Sequence, residues 1–333
     1  MTVPPSSEPG CLHLHVPYDG PPLVAEPSGQ FIGPDDDPQR YELFSRQRFG
    51  TEGVVWQARR RGHADGRAAF AIKVFAPVPG AETDPLPPGD LRRWQDQLGR
   101  FDAVSSPHLP GLRDVFVAAD TRKPAGPRFH LVTDWIDGPS LDDRIRSGND
   151  STLDRLGHVR DLAAAYQALH VAGAGHPDPL IRHDIKPTSA VVHPGRGAVL
   201  VDVGRLHPGP DGFLPSRWQR SLFVAPELHA APFGPRSPES DLYSLGALAF
   251  FCVTGYAPAQ DMAAIRHELA EALTGPGIDS PGELAAHLAA MLEPDPEQRP
   301  PDPLAWADHA LALATDRPRG WWARMFGGPV SPS

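Results

Sequence analysis

The sequence predicts an α+β protein of two lobes, a small β-rich half followed by a larger helical half. Three observations predict it. Short runs of β-branched and aromatic residues separated by glycine-containing turns fill residues 41–75. Beyond Gly138 the pattern turns helical, with apolar residues three and four apart. Hydrophobic residues make up 40% of the 333, enough for a sizeable core. Such a division into lobes leaves a cleft, a favoured place for a ligand.

The elements follow in order. Residues 1–40 are rich in Pro, Gly and acidic residues (PPSSEPG, GPP, GPDDDP). That composition buries too little apolar surface to offset its ordering entropy, so the segment is expected to be a flexible arm. Within it CLHLHV is the one run suited to an extra strand, and His13 and His15 read as surface histidines rather than metal ligands. YELFSRQRF, VVWQARR and AAFAIKVF are strand candidates, as are LRDVFVA and RFHLVTDW further on, with a helix expected over Leu91 to Val104. Ser151 with Asp154 has capping-box spacing, and Leu153, Leu156, Val159, Leu162, Tyr166 and Leu169 mark one apolar helix face. A second helix is expected from Ser237, with Pro238 in its first turn, to about Gly255. From about Asp316 a tail carries Trp321, Trp322 and Phe326, as a small cap on the domain or as a patch that touches a partner or membrane.

Charge and cysteine usage narrow the function classes. A formal net charge of -10 argues against a broad nucleic-acid or anionic-membrane surface. The two cysteines, Cys11 and Cys252, fit a reducing compartment and no disulfide scaffold, and no Cys/His spacing suggests zinc. The start lacks the basic and apolar regions of a signal peptide. The most apolar stretch, Leu245 to Val253, is far short of the roughly 20 residues that span a bilayer. A cytoplasmic protein without a membrane span is the expectation.

Four places could carry chemistry. Gly50 and Gly53 in RFGTEGVVW lie between two strands, where glycine lets backbone N–H groups approach phosphates; a plain hairpin would look the same. Lys73 sits in an apolar strand, which suggests an anionic partner, with a solvent-facing edge lysine as the alternative. In IRHDIKPTSAVV, Asp184 could accept a hydroxyl proton and Lys186 neutralise a phosphoryl group. Asp202 ends the apolar run AVLVDVG, which suits a carboxylate holding a hard cation.

Taken together, Ala-Ile-Lys at 71–73, Asp-Ile-Lys-Pro at 184–187, Asp-x-Gly at 202–204, Ala-Pro-Glu at 225–227, Asp-Leu-Tyr-Ser-Leu-Gly at 241–246 and Arg-Pro at 299–300 resemble the eukaryotic-type Ser/Thr protein kinase family of bacteria. The resemblance runs from about Tyr41 to Leu313. It implies a bilobal protein-kinase-like fold over 41–315, with a first lobe over 41–134, a hinge over 134–138 and a second lobe over 139–315. It implies ATP and Mg²⁺, or Mn²⁺, as cofactors, and a protein substrate or regulated partner protein. By resemblance, Gly50 and Gly53 cover the phosphates and Lys73 contacts them. Val55 and Ala71 wall the adenine pocket above, Val191 lies below, Thr133 guards its back, and the hinge backbone from Asp134 to Ile136 bonds adenine. Asp184 is the catalytic base with Lys186 beside it, and Asp202 with Ser189 holds metal. Asp241 steadies the catalytic loop and Glu227 pairs with Arg299.

Several positions depart from the family pattern. Arg48 replaces the first loop glycine. The glutamate expected to pair with Lys73 falls on Gln97, beside Asp96, so a charge-assisted bond of about 1.5–3 kcal/mol gives way to one of about 0.5–1.5. His-Arg-Asp is Arg182-His183-Asp184, and His183 lacks the fork that holds a phosphorylated activation-loop residue; Ser216 and Ser221 are the candidates there. Ser189 stands for asparagine, and Val203 for the phenylalanine of Asp-Phe-Gly, while Phe101 keeps the helix position of the internal spine apolar. The glutamate and asparagine changes together would slow transfer about 10²- to 10⁴-fold unless compensated. The expected function is therefore a Ser/Thr protein kinase in regulatory signalling, with a nucleotide-binding pseudokinase acting as scaffold or allosteric partner as the alternative.

Overall fold

The computed structural model describes residues 27–50, 53–62, 69–75, 95–96, 98–120, 126–174, 180, 185–201, 221–230, 237–275 and 277–315. The first lobe is a six-stranded antiparallel sheet in the order β1-β2-β3-β4-β6-β5. Its strands are β1 (Pro27–Ile32), β2 (Tyr41–Gly50), β3 (Gly53–Arg60), β4 (Phe70–Phe75), β5 (Leu112–Asp120) and β6 (Gly126–Asp134). Helical residues 95–96 and 98–102 form α1 before β5. Each strand read from the sequence between residues 41 and 135 is present, because alternating side chains give the sheet two distinct faces. One face buries Tyr41, Leu43, Trp56, Ala58, Ile72, Val74, Phe116 and Val132 in a single cluster. Tyr41, Phe116 and His130 stack in a row there, with ring centroids 6.2 and 4.8 Å apart.

Residues 27–40 correct the expectation of a flexible arm. β1 pairs with β2, and Arg40 and the Tyr41 hydroxyl both donate to Asp114 Oδ2 at the start of β5, at 2.8 and 2.9 Å. The strand was hidden because Pro27 and Gly29 are poor strand formers; a bulge lies between Pro27 and Gln30, and Gly29 takes φ 70°. CLHLHV and the tail from Asp316 lie outside the described residues.

The second lobe holds α2 (Leu141–Arg146), α3 (Thr152–Gly173), the hairpin β7 (Ala190–His193) and β8 (Gly197–Leu200), then α4 (Pro226–Ala230), α5 (Pro238–Thr254), α6 (Met262–Leu273), α7 (Pro281–Ala289) and α8 (Pro303–Thr315). The Ser151–Asp154 capping box forms in both directions and starts α3. On α5, Pro238 stands in the first turn and Gly255, at φ 85°, closes the end by donating to the Phe251 carbonyl. Every residue from Ser240 to Val253 is buried, as the apolar run required. Gly246 lets the short 3-10 turn Ala290–Leu292 after α7 approach, since a Cβ there would lie 2.6 Å from Met291 Cβ. Burial pushes the Cys252 thiol up to about 12, so it remains an inert thiol. No helix among the described residues is long and apolar enough to cross a membrane.

Arg299 ties the lower lobe together. Its fully buried guanidinium forks onto both Glu227 oxygens at 2.8 Å and also donates to the carbonyls of Glu239, Glu293 and Pro294. Arg299→Ala is expected to cost about 3 kcal/mol or more in urea unfolding. Arg160→Ala, which breaks an exposed pair with Asp308, should cost no more than about 1 kcal/mol. Equal losses in the two variants would contradict this reading of Arg299.

Candidate functional site

The sheet face opposite the Ile72–Val74 cluster carries the candidate site residues of the first lobe. Strand register places Val55 beside Lys73 and Lys73 beside Leu131; two pairs along, Ala71 lies beside Thr133. Period-two alternation directs all five to the same side. Leu131 packs with Leu98 and Phe101 of α1 in the main core, Thr133 is buried, and Val55, Ala71 and Lys73 stay half-buried at the open part of the face. Lys73 Nζ sits 4.9 Å from the centroid of the Phe75 ring. Gly50 and Gly53 are paired across the end of the β2–β3 hairpin that leads to Val55. Asp96 is exposed on α1, and Gln97 lies outside the described residues.

Past Asp134, the last residue of β6, the chain leaves the sheet through the segment expected to be the hinge. The Asp134 amide donates to the Gly111 carbonyl and the Trp135 amide to the Ala69 carbonyl, both at 3.0 Å. The Ile136 amide has no backbone partner among the described residues. The Asp134 side chain accepts from the Gly111 amide at 3.0 Å and from Arg113 Nε and Nη2 at 2.6 and 2.9 Å. This fork holds the Arg113 guanidinium pKa above its ordinary value.

The floor comes from the β7–β8 hairpin. Ile136, Val191 and Val199 bury one another, with Val201 against them. The Val192 amide donates to the Pro139 carbonyl at 2.9 Å, which fixes the hairpin under the hinge. Before it, Ile185 is buried, Lys186 is partly exposed, and Pro187–Ser189 make one tight turn. Ser189 is 2% exposed and its Oγ has no hydrogen-bond partner among the described residues. The Val201 amide donates to the Ser189 carbonyl at 2.9 Å, one residue before Asp202 in sequence. Asp184 and Asp202 lie outside the described residues, as do Arg182, His183, Val203 and Ser216. Asp241 is fully buried, with Oδ2 3.2 Å from His170 Nε2.

The sequence did not reveal how the two lobes are fastened. Residues 105–111 lie against the hairpin that supplies the floor. His108 Nδ1 bonds the Ala198 carbonyl at 3.0 Å, and the Leu200 amide donates to the His108 carbonyl at 3.0 Å. Arg196 donates to the carbonyls of Pro107 and Leu109, both at 2.7 Å. Asp161 on α3 accepts from the Ala198 amide at 2.9 Å. Gly197 takes φ 72°, and a Cβ there would run into Asp161 Oδ2. Bonds 90 residues apart leave no periodic trace in the sequence.

Comparison with known proteins bears on the fold. Over 224 residues the chain is 26% identical to the serine/threonine-protein kinase PknB of Mycobacterium tuberculosis, a match covering 66% of this chain and 33% of PknB. It is 24% identical to PknA of the same organism over 223 residues, covering 66% of this chain and 48% of PknA. The chain thus spans between a third and a half of the curated relatives it matches. Crystal structures of the PknI kinase domain of M. tuberculosis superpose with TM-scores of 0.58 and 0.60 at 20% identity, covering 86% of this chain and 98% of theirs. No protein-family model matches the chain. The fold is the bilobal kinase fold, and the sequence relatives are bacterial eukaryotic-type Ser/Thr kinases.

Gly197→Ala should lower stability by about 1–3 kcal/mol, because the added methyl group meets both a left-handed backbone and the Asp161 carboxylate. Thermal denaturation checks this, and an unchanged midpoint would contradict the described packing of floor on α3.

Proposed function

We propose that the chain is a Ser/Thr protein kinase that transfers the γ-phosphate of ATP to hydroxyl groups of a cytoplasmic protein substrate, in regulatory signalling. The observation that supports it most is the convergence of Val55, Ala71, Lys73 and Thr133 on one sheet face, with Ile136 and Val191 joined in the floor. That arrangement offers two apolar walls for a flat base, a hinge amide at Ile136 for its edge, and an ammonium for its phosphates.

In this reading Val55 and Ala71 cover adenine, Val191 supports it, Thr133 closes the back, and Asp134 to Ile136 bond its edge. Gly50 and Gly53 let the hairpin backbone approach the phosphates, and Lys73 neutralises them. Asp184 accepts the proton of the substrate hydroxyl as its oxygen bonds to the γ-phosphorus; the bond to the β–γ bridging oxygen breaks and ADP leaves. Lys186 balances charge on the moving phosphoryl group. Asp202 and Ser189 would hold Mg²⁺, or Mn²⁺. Ser189 suits this role, since a buried hydroxyl oxygen without a partner is costly unless something occupies it. When bound, the cation neutralises charge on the phosphate oxygens.

The exposed position of Asp96 favours a second reading. With Asp96 exposed and a glutamine next in sequence where a glutamate is expected, the chain could bind nucleotide as a pseudokinase that serves as scaffold or allosteric partner.

Transfer from Mg-ATP or Mn-ATP to a protein acceptor separates the two. Asp184→Ala should reduce the rate by about 10²-fold or more. Transfer unchanged in that variant would sink the enzyme reading; no transfer, together with a nucleotide-dependent rise in melting temperature, would select the pseudokinase. Ser189→Ala removes an unsatisfied buried oxygen, so the ligand-free protein should be no less stable, while the extra thermal shift that Mg²⁺ adds to ADP should shrink. An unaltered Mg²⁺ effect would remove Ser189 from the metal site.

A further inference from the structure

Asp134, the first residue of the hinge, is held from two sides. Its amide donates to the Gly111 carbonyl, and its carboxylate accepts from the Gly111 amide, so the two residues close a small hydrogen-bonded ring. Arg113 then forks onto both carboxylate oxygens at 2.6 and 2.9 Å. Gly111 leaves no slack in this arrangement, since a Cβ there would lie 2.7 Å from Asp134 Oδ2 and 3.0 Å from Arg113 Nη2. The next peptide is fixed as well, through the Trp135 amide and the Ala69 carbonyl. Two successive hinge peptides are therefore locked, and the one after them carries the Ile136 amide.

Gly111 is also the end of the segment fastened to the second lobe. Arg196 holds Pro107 and Leu109, and His108 bonds Ala198, in the hairpin whose Val191 and Val199 bury Ile136. The clamp on Asp134 and the floor under Ile136 thus share one frame. Half of the Arg113 side chain is exposed, so the fork adds little to global stability. Its geometric effect is larger, because it fixes the direction of the peptides leading to the open amide.

Resting on the reading of this cleft as an adenine-nucleotide site, we infer that Arg113 and Asp134 are positioning residues that set its choice of base. A hinge N–H held in one direction suits adenine, whose N1 accepts a hydrogen bond. It opposes guanine, whose N1 carries a proton and calls for a carbonyl. A hinge free to turn its peptide can present either group, so discrimination depends on the clamp. Arg113→Lys keeps the charge but loses the fork, and restores the clamp only in part.

Calorimetric titration of the full chain with Mg-ADP and Mg-GDP tests this, with melting temperature read in parallel. Arg113→Ala should weaken Mg-ADP by about 3- to 10-fold and alter Mg-GDP by less than about twofold, so the ratio of the two narrows while the melting temperature hardly moves. Arg113→Lys should fall between that variant and wild type. Should Arg113→Ala fail to fold, Asp134→Asn, which keeps an acceptor for the Gly111 amide and weakens the fork, should narrow the ratio to a smaller degree. A ratio unchanged by these substitutions, with or without a fall in melting temperature, would overturn the inference and leave the nucleotide site standing. Wild-type protein that binds no Mg-ADP would overturn the nucleotide reading, and the base-selecting clamp with it.

Discussion

The site depends first on the alternation of β4. Ile72 and Val74 are buried in the outer cluster, and that burial leaves Ala71 and Lys73 no choice but the other face. A slip of one residue would bury the lysine and expose two core side chains, so the register is held by the hydrophobic effect rather than by the ligand. Neighbouring strands inherit the same phase: Val55 on β3 and Leu131 and Thr133 on β6 follow Lys73 and Ala71 across the ladder. The candidate face is thereby assembled from residues up to 78 positions apart. Most of it is apolar, so the lysine stands as the one cation among the described residues of that row.

The second requirement is that this face be held at a fixed distance from a floor. Packing supplies part of it, because Leu98, Phe101 and Leu131 of the first lobe belong to the main core of the second. Polar bonds add the rest, through His108 and Arg196 between the lobes and the Val192 amide at Pro139. The His108 and Arg196 side chains join the lobes by bonding backbone carbonyls, groups that substitution leaves in place, while Asp161 holds the hairpin to α3 within the second lobe. The Arg299 fork does comparable work lower down, tying Glu227 to the ends of helices that carry the main core.

Much of the fold could be read from the chain. Alternation gave β2 to β6, three-and-four spacing gave α3, and Pro238 with Gly255 bounded α5. β1 escaped because Pro27 and Gly29 erase a strand pattern that pairing with β2 restores. Of the site, the wall and floor residues were legible only through their resemblance to kinases, since Val55, Thr133 and Val191 look like any core residues. The Gly111–Arg113–Asp134 clamp and the His108–Arg196 fastening could not be read at all. They are single long-range polar contacts, and neither composition nor period records them. The orphan hydroxyl of Ser189 likewise emerges only once burial is known.

The central claim is that this face and this floor enclose an adenine nucleotide. A crystal structure of the full chain with Mg²⁺ and a non-hydrolysable ATP analogue tests it most directly. The account predicts the base between Ala71 and Val191, its edge on the Ile136 amide, the phosphates at Lys73 Nζ, and a cation within bonding distance of Ser189 Oγ. A nucleotide bound elsewhere, or a base that leaves the Ile136 amide unbonded, would contradict it.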